Sequence, residues 1–364
     1  MGKFRARLSE KPPSDPQLER GLHKEAVDFH AAAIPLDMAS EGVQAFATII
    51  AQIIAGDPKI IVVDEPEAFL HPALAMKLGN ELAISASKSN KQVFVSTHSA
   101  NFVMGCIQSG AHVTIVRLTY LRGVATARSL PNDRILTLMR NPLLRSAGVI
   151  NGVFYQAVVV TESDTDRAFY QEINERLLRY DSSRGIPHCL FLNAQNKQTV
   201  HIICEPLRRL GIPTVCIVDI DILKEGGSVW ASFLSGGCLP LSAQQGLGDM
   251  RAKIKLKCVN SGQDMKKGGT AILDQEGRET ADFLFDSLAS YGLFVVRSGE
   301  IESWLTHLQS SGHGSGWLIK IFERMGENQD DNTYIKPTKG DVWDFMASVG
   351  SWLRNPNRKG IPLD

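Results

Sequence analysis

The sequence predicts an α/β protein built as two successive domains, and three observations carry that prediction. Short β-branched runs (IIVV at 60–63, VFVS at 93–96, AVVV at 157–160, PTVCIV at 213–218 and LFVV at 293–296) alternate with stretches of helical spacing. Several of these runs end directly on acids or hydroxyls, at the sheet edge where parallel strands bind ligands. Between the two groups of strands, residues 126–152 carry Pro131 and Pro142 and no sheet-forming run, which marks a boundary.

The 364 residues suffice for two domains of roughly 100–200 residues each, and a hydrophobic content of 43% excludes wholesale disorder. The 39 basic side chains balance the 39 acidic ones, so any attraction to a polyanion must be local. The longest apolar stretch, Val43 to Ala55, is broken by Gln44, Thr48 and Gln52, short of the roughly 18 apolar residues of a membrane span. No apolar segment follows the basic N-terminus, so no secretory signal is expected, and the expected location is cytoplasmic without membrane contact. Six cysteines (106, 189, 204, 216, 238, 258) form no CxxC pair and are expected to be reduced thiols.

Each element follows from its residues. Residues 1–37, with Pro12, Pro13, Pro16 and Pro35, read as an irregular lead-in. Val43, Phe46, Ala47, Ile50, Ile53 and Ile54 share a helical face that Gly56-Asp57-Pro58 ends. The strand at 60–63 stops on Asp64-Glu65-Pro66, and Pro72 opens a helix reaching about Ala86. The strand at 93–96 runs into Thr97-His98-Ser99, and VTIV at 113–116 suggests a further one. Past the boundary, the strand at 157–160 leads to a helix over 164–180 with Ala168, Phe169, Ile173 and Leu177 on one face. A helix over 200–210 precedes the strand at 213–218, which closes on Asp219-Ile220-Asp221. The strand at 293–296 precedes Gly299-Glu300-Ile301-Glu302, and the glycine-rich insertion at 224–280 has no legible fold. The expected division is 1–125, a linker at 126–152, 153–310, and a helical extension at 311–364.

Asp64-Glu65 at a strand end is where an ATPase holds Mg²⁺ and polarises water. Ser40 and Gly42 precede a helix whose free N-terminal amides can grip phosphate, and His98 ends the neighbouring strand, where it can sense a γ-phosphate. In that order SEGVQ, VVDEPEAFLHP and FVSTHSANF resemble the second half of an ABC-type ATPase of the RecF and SMC branch, over about residues 38–117. The resemblance implies signature residues Ser40 and Gly42, a Walker B Asp64, a catalytic base Glu65 and a switch His98. No GxxxxGK[ST] occurs in the sequence, so ATP binding is expected only with a phosphate loop supplied from outside this chain.

The second group of acids is Glu162, Asp166, Asp219 and Asp221, which two strand ends bring to one sheet edge. Carboxylates in such a cluster repel one another unless cations neutralise them, and hard oxygen ligands suit Mg²⁺ or Mn²⁺. VVVTESDTDRAF followed by IVDID resembles the TOPRIM fold of topoisomerases, primases and nucleases. An ABC-type half followed by TOPRIM resembles the overcoming-lysogenization-defect (OLD) nucleases, over roughly residues 38–305. That resemblance implies a metal-dependent endonuclease coupled to an ATPase, often in phage defence. It implies metal ligation by Glu162, Asp166, Asp219, Asp221 and, from GEIESWL, Glu302 rather than Glu300. It further implies a C-terminal catalytic lysine, Lys336 or Lys339. Arg251, Lys253, Lys255 and Lys257 alternate with apolar residues, and an extended segment there would present a cationic face to DNA. The expected partners are DNA and a second copy or other protein at the ABC-type domain. The alternatives are a non-catalytic SMC-like protein or another TOPRIM enzyme of topoisomerase or primase type.

Overall fold

A computed structural model describes residues 6–55, 58–89, 91–121, 123–130, 142 and 148–362. The chain divides into two compact units, Met1–Thr114 and Ile115–Asp364.

In the first unit β1 (Arg7–Leu8) pairs antiparallel with β2 (Ile34–Pro35), and between them run α1 (Pro16–Arg20) and α2 (Lys24–Ala32). The lead-in is therefore partly regular. Asp15 accepts the Gln17 N–H and Pro16 sits in the first turn, which is enough to start a helix. The helix expected from Val43 is α3 (Glu41–Ala55), while its expected stop, Gly56 and Asp57, lies outside the described residues. β3 (Ile60–Asp64) and β4 (Gln92–Ser96) pair in parallel, joined by α4 (Pro72–Lys88), and α5 (Ala100–Gln108) follows. Ile53, Leu78, Leu82 and Phe102 form the core on one side of this two-stranded sheet. Ile60, Val62 and Phe94 are exposed on the other.

The second unit opens with a hairpin of β5 (Ile115–Leu121) and β6 (Val124–Leu130), Ile115 opposite Leu130. Residues 126–130, read from the sequence as the start of a segment with no sheet-forming run, thus belong to a strand. Their alternation matters only once β5 supplies a partner. The rest of the expected linker, 131–141 and 143–147, lies outside the described residues. Then come β7 (Ala157–Thr161), α6 (Asp164–Tyr180), β8 (Cys189–Asn193), α7 (Val200–Arg209), β9 (Thr214–Asp219), α8 (Gly227–Gly236), α9 (Leu241–Asn260), α10 (Met265–Gly268), α11 (Gln275–Ser290), β10 (Leu293–Val296), α12 (Gly314–Met325) and α13 (Asp341–Arg354). Four of these strands form one parallel sheet in the order β10-β9-β7-β8. Covered on both faces, β7 is buried throughout, which is why it reads as an unbroken apolar run.

One expectation changes here. The insertion at 224–280 is helical, and Arg251 to Cys258 belongs to α9, not to an extended segment. The buried residues of α9 are Leu247, Ile254 and Cys258, a helical spacing that four alternating pairs of residues concealed. The sulfurs of Cys204 in α7 and Cys216 in β9 face each other across the helix–sheet contact. Among the described residues no helix is long and apolar enough to cross a membrane.

Candidate metal centre

β7 and β9 are neighbours, with Thr161 opposite Ile217, so the residues after them emerge side by side. Glu162 follows β7 directly, and its Oε1 accepts the backbone N–H of Asp219 at 2.8 Å. Asp219 is the last residue of β9, and Asp221 lies in the tight 3₁₀ turn Ile220–Lys224 that follows. One oxygen from each of Glu162, Asp219 and Asp221 lies within 4.8 Å of the others. Asp221 Oδ1 is buried with no hydrogen-bond partner among the described residues. Such an orphaned acceptor costs about 1–3 kcal/mol, and a cation bound there would remove that cost.

Asp166 belongs to the same edge. Its Oδ2 accepts the Ser163 N–H at 2.9 Å while its own N–H donates to Ser163 Oγ at 3.2 Å, a reciprocal cap that starts α6. Burial, then the charge of Asp219, pushes Glu162 up to about 8. Burial, then Asp166, pushes Asp219 up to about 7 against the opposing pull of Lys266. Asp166 rises to about 6, chiefly through burial, with the Ser163 hydrogen bonds opposing and Glu302 adding. These carboxylates resist being charged together unless positive charge joins them.

Two lysines that the sequence did not single out supply some of it. Lys266 Nζ lies 3.1 Å from Asp219 Oδ2 and 3.0 Å from Glu300 Oε2. Lys197 Nζ lies 2.8 Å from Asp221 Oδ2 and 3.4 Å from Glu225 Oε1. Burial works against the Lys266 charge, but Glu300 and Asp219 hold its ammonium above the ordinary lysine range. Glu300, Glu302 and His313 form a second group with ligand atoms within 4.8 Å. In it Glu302 Oε1 sits 2.8 Å from His313 Nδ1 and accepts the Gly314 N–H that opens α12. The sequence favoured Glu302, yet Glu300 is the acid joined through Lys266 to Asp219.

The expected C-terminal lysines are elsewhere or unpaired. Lys336 stacks on Tyr180 at the far end of α6, about 20 Å along the helix from Asp166. Lys339 is exposed and forms no ion pair among the described residues. In α9, Arg251 donates to the carbonyls of Leu223 and Glu225, and Lys255 to that of Lys224, so both steady the turn behind Asp221. Lys257 is held by Asp274 and Glu276 at 2.8 and 2.9 Å, which leaves Lys253 outermost.

In the first unit Glu65 and His98 meet, Oε1 to Nδ1, at 3.2 Å, and Asp64 accepts from Ser96 Oγ. Ser40 is exposed at the start of α3. A Cβ on Gly42 would lie 2.6 Å from the Phe69 carbonyl, so the glycine there lets α3 approach the loop after β3.

Residues 4–104 match the family model described as "AAA domain, putative AbiEii toxin, Type IV TA system". Residues 153–221 match "Overcoming lysogenization defect protein-like, TOPRIM domain", a span holding Glu162, Asp166, Asp219 and Asp221. No curated protein sequence matches the chain. The two matches stand in the order of the OLD family architecture, an ATPase-like domain followed by an OLD-like TOPRIM domain, and together they support a nuclease-type ATPase/TOPRIM protein.

Proposed function

We propose that this chain is a divalent-metal-dependent endonuclease that hydrolyses DNA phosphodiesters at the end of β7 and β9. The observation that carries the reading is the half-buried trio Glu162, Asp219 and Asp221, with one buried Asp221 oxygen left unpartnered among the described residues. Glu162, Asp219 and Asp221 would hold one Mg²⁺ or Mn²⁺, and Glu302 with Asp166 would hold a second. When bound, such ions generate a hydroxide nucleophile and stabilise charge on the leaving oxygen.

The chain's own residues fix the rest. The Asp219 N–H orients Glu162, the Ser163 N–H orients Asp166, and the Gly314 N–H orients Glu302, so these three carboxylates are aimed by backbone. Lys266 and Lys197 bring positive charge to the same edge, where a phosphate would meet it. Lys253 on α9 is the basic residue there best placed to meet a DNA backbone.

On the same reading, the first unit contributes Ser40, Gly42, Asp64, Glu65 and His98 to an ATP site completed by a phosphate loop from outside this chain. Its partner is a second copy or another protein, the setting is the cytoplasm, and the biological role is defence against phage DNA. Incubating the full chain with supercoiled plasmid tests the chemistry. Nicking with Mn²⁺ or Mg²⁺ that stops in chelator supports it, and cleavage indifferent to chelator refutes it.

A further inference from the structure

The insertion at 224–280 delivers one residue to the metal centre, and the backbone is built to hold it there. Lys266 lies in the single turn α10, where Asp264 Oδ1 accepts its N–H at 3.1 Å. A Cβ on Gly299 would come within 1.9 Å of the Lys266 carbonyl oxygen, and Gly299 has φ +132°, so glycine permits this approach. Gly299 in turn accepts the Ile220 N–H at 3.0 Å, between the two aspartates, and stands next to Glu300. Thr270, just after α10, donates to the Arg297 carbonyl at 2.9 Å. Three segments therefore meet in one clamp: the turn of Lys266, the turn carrying Glu300, and the turn between Asp219 and Asp221.

The ammonium ends among the carboxylates, 3.1 Å from Asp219 Oδ2, 3.9 Å from Asp221 Oδ2 and 3.0 Å from Glu300 Oε2. An amine and a metal ion cannot both take that space. We propose that Lys266 is a built-in counter-cation, which balances the carboxylates without metal, is displaced when a divalent ion binds, and then turns to the phosphate of bound DNA. The inference rests on the metal-centre reading above. Lysine suits the task because its charge is compact and its four-carbon stem is flexible. Removing the amine then has two effects of opposite sign: metal binds more tightly and DNA less tightly. A residue that only supported the fold would not strengthen metal binding when lost.

The test follows Mn²⁺ binding to the full chain by electron paramagnetic resonance, and DNA binding with Ca²⁺ in place of Mn²⁺ across a salt series. Lys266→Met is expected to bind Mn²⁺ about ten-fold more tightly than wild type. Its slope of log DNA affinity against log salt should be shallower by about 0.9, the share of one phosphate contact. Lys266→Arg, which keeps the charge, should stay near wild type in both. If Lys266→Met fails to fold, Lys266→Gln is read in the same way. Wild-type Mn²⁺ binding with no tightening in the folded variant overturns this inference alone, and an unchanged salt slope overturns its phosphate half. A wild-type chain that binds no Mn²⁺ overturns the metal-centre reading and this inference together.

Discussion

Glu162 Oε1 accepts the backbone N–H of Asp219 at 2.8 Å, so the acid after one strand is fixed by the last residue of its neighbour. Glu162→Gln tests what that link does. A glutamine oxygen can still accept the N–H, so the strand ends stay joined while one charge is lost. The variant is expected to unfold thermally at or above the wild-type temperature in chelator and to bind Mn²⁺ at least about ten-fold more weakly. Calorimetric titration reads the second effect, and unweakened Mn²⁺ binding would remove Glu162 from the ligand set.

The raised carboxylates make stability depend on pH with a definite sign. Glu162 moves from 4.5 to about 8 and Asp219 from 3.8 to about 7. The folded chain therefore binds more protons than the unfolded one between about pH 4 and pH 8, and its stability falls as pH rises through that window. In chelator the melting temperature should drop from pH 5 to pH 8, and saturating Mg²⁺ should reduce the drop. A metal-free melting temperature that rises over the same range would contradict the assignment.

Arg208 ties the sheet to the C-terminal segment. It is fully buried and donates to the carbonyls of Thr214, Gly237, Tyr291, Gly292 and Gly360 at 2.7–3.2 Å. Arg208→Met would leave these acceptors without that donor. A loss of at least about 3 kcal/mol is expected from a few such acceptors, read from the urea midpoint at unchanged slope. A loss under about 1 kcal/mol would mean that the carbonyls find other partners.

The sequence contains no GxxxxGK[ST], and the ATP-site candidates proposed for the first unit are Ser40, Gly42, Asp64, Glu65 and His98. The chain alone is expected to show no micromolar binding of ATP with Mg²⁺ by calorimetry, and Glu65→Gln should leave metal-dependent cleavage unchanged. Micromolar ATP binding would reveal a phosphate site of another kind.

Much of the α/β order was legible because buried parallel strands must be apolar, as 157–161 and 214–219 show. The acids at those strand ends were legible for the same reason: a strand end fixes where the next side chain stands. β8, with the sequence CLFLN, has no β-branched residue to mark it. Lys266 and Lys197 were not legible because each reaches the acids through a loop or insertion whose path no local pattern reveals. Residues 251–258 misled because eight residues of alternation fit one face of a strand as well as a helix whose buried positions are 247, 254 and 258. Lys336 followed from resemblance, and it stacks on Tyr180.

The central claim is that the carboxylates at the ends of β7 and β9 hold the ions that cleave DNA. Its most direct test is the initial rate of plasmid nicking in saturating Mn²⁺ by wild type and by Asp219→Asn, both shown folded by circular dichroism. The expected result is Mn²⁺-dependent nicking by wild type and a rate at least about 100-fold lower in the variant. A folded Asp219→Asn protein that nicks at the wild-type rate would contradict the claim.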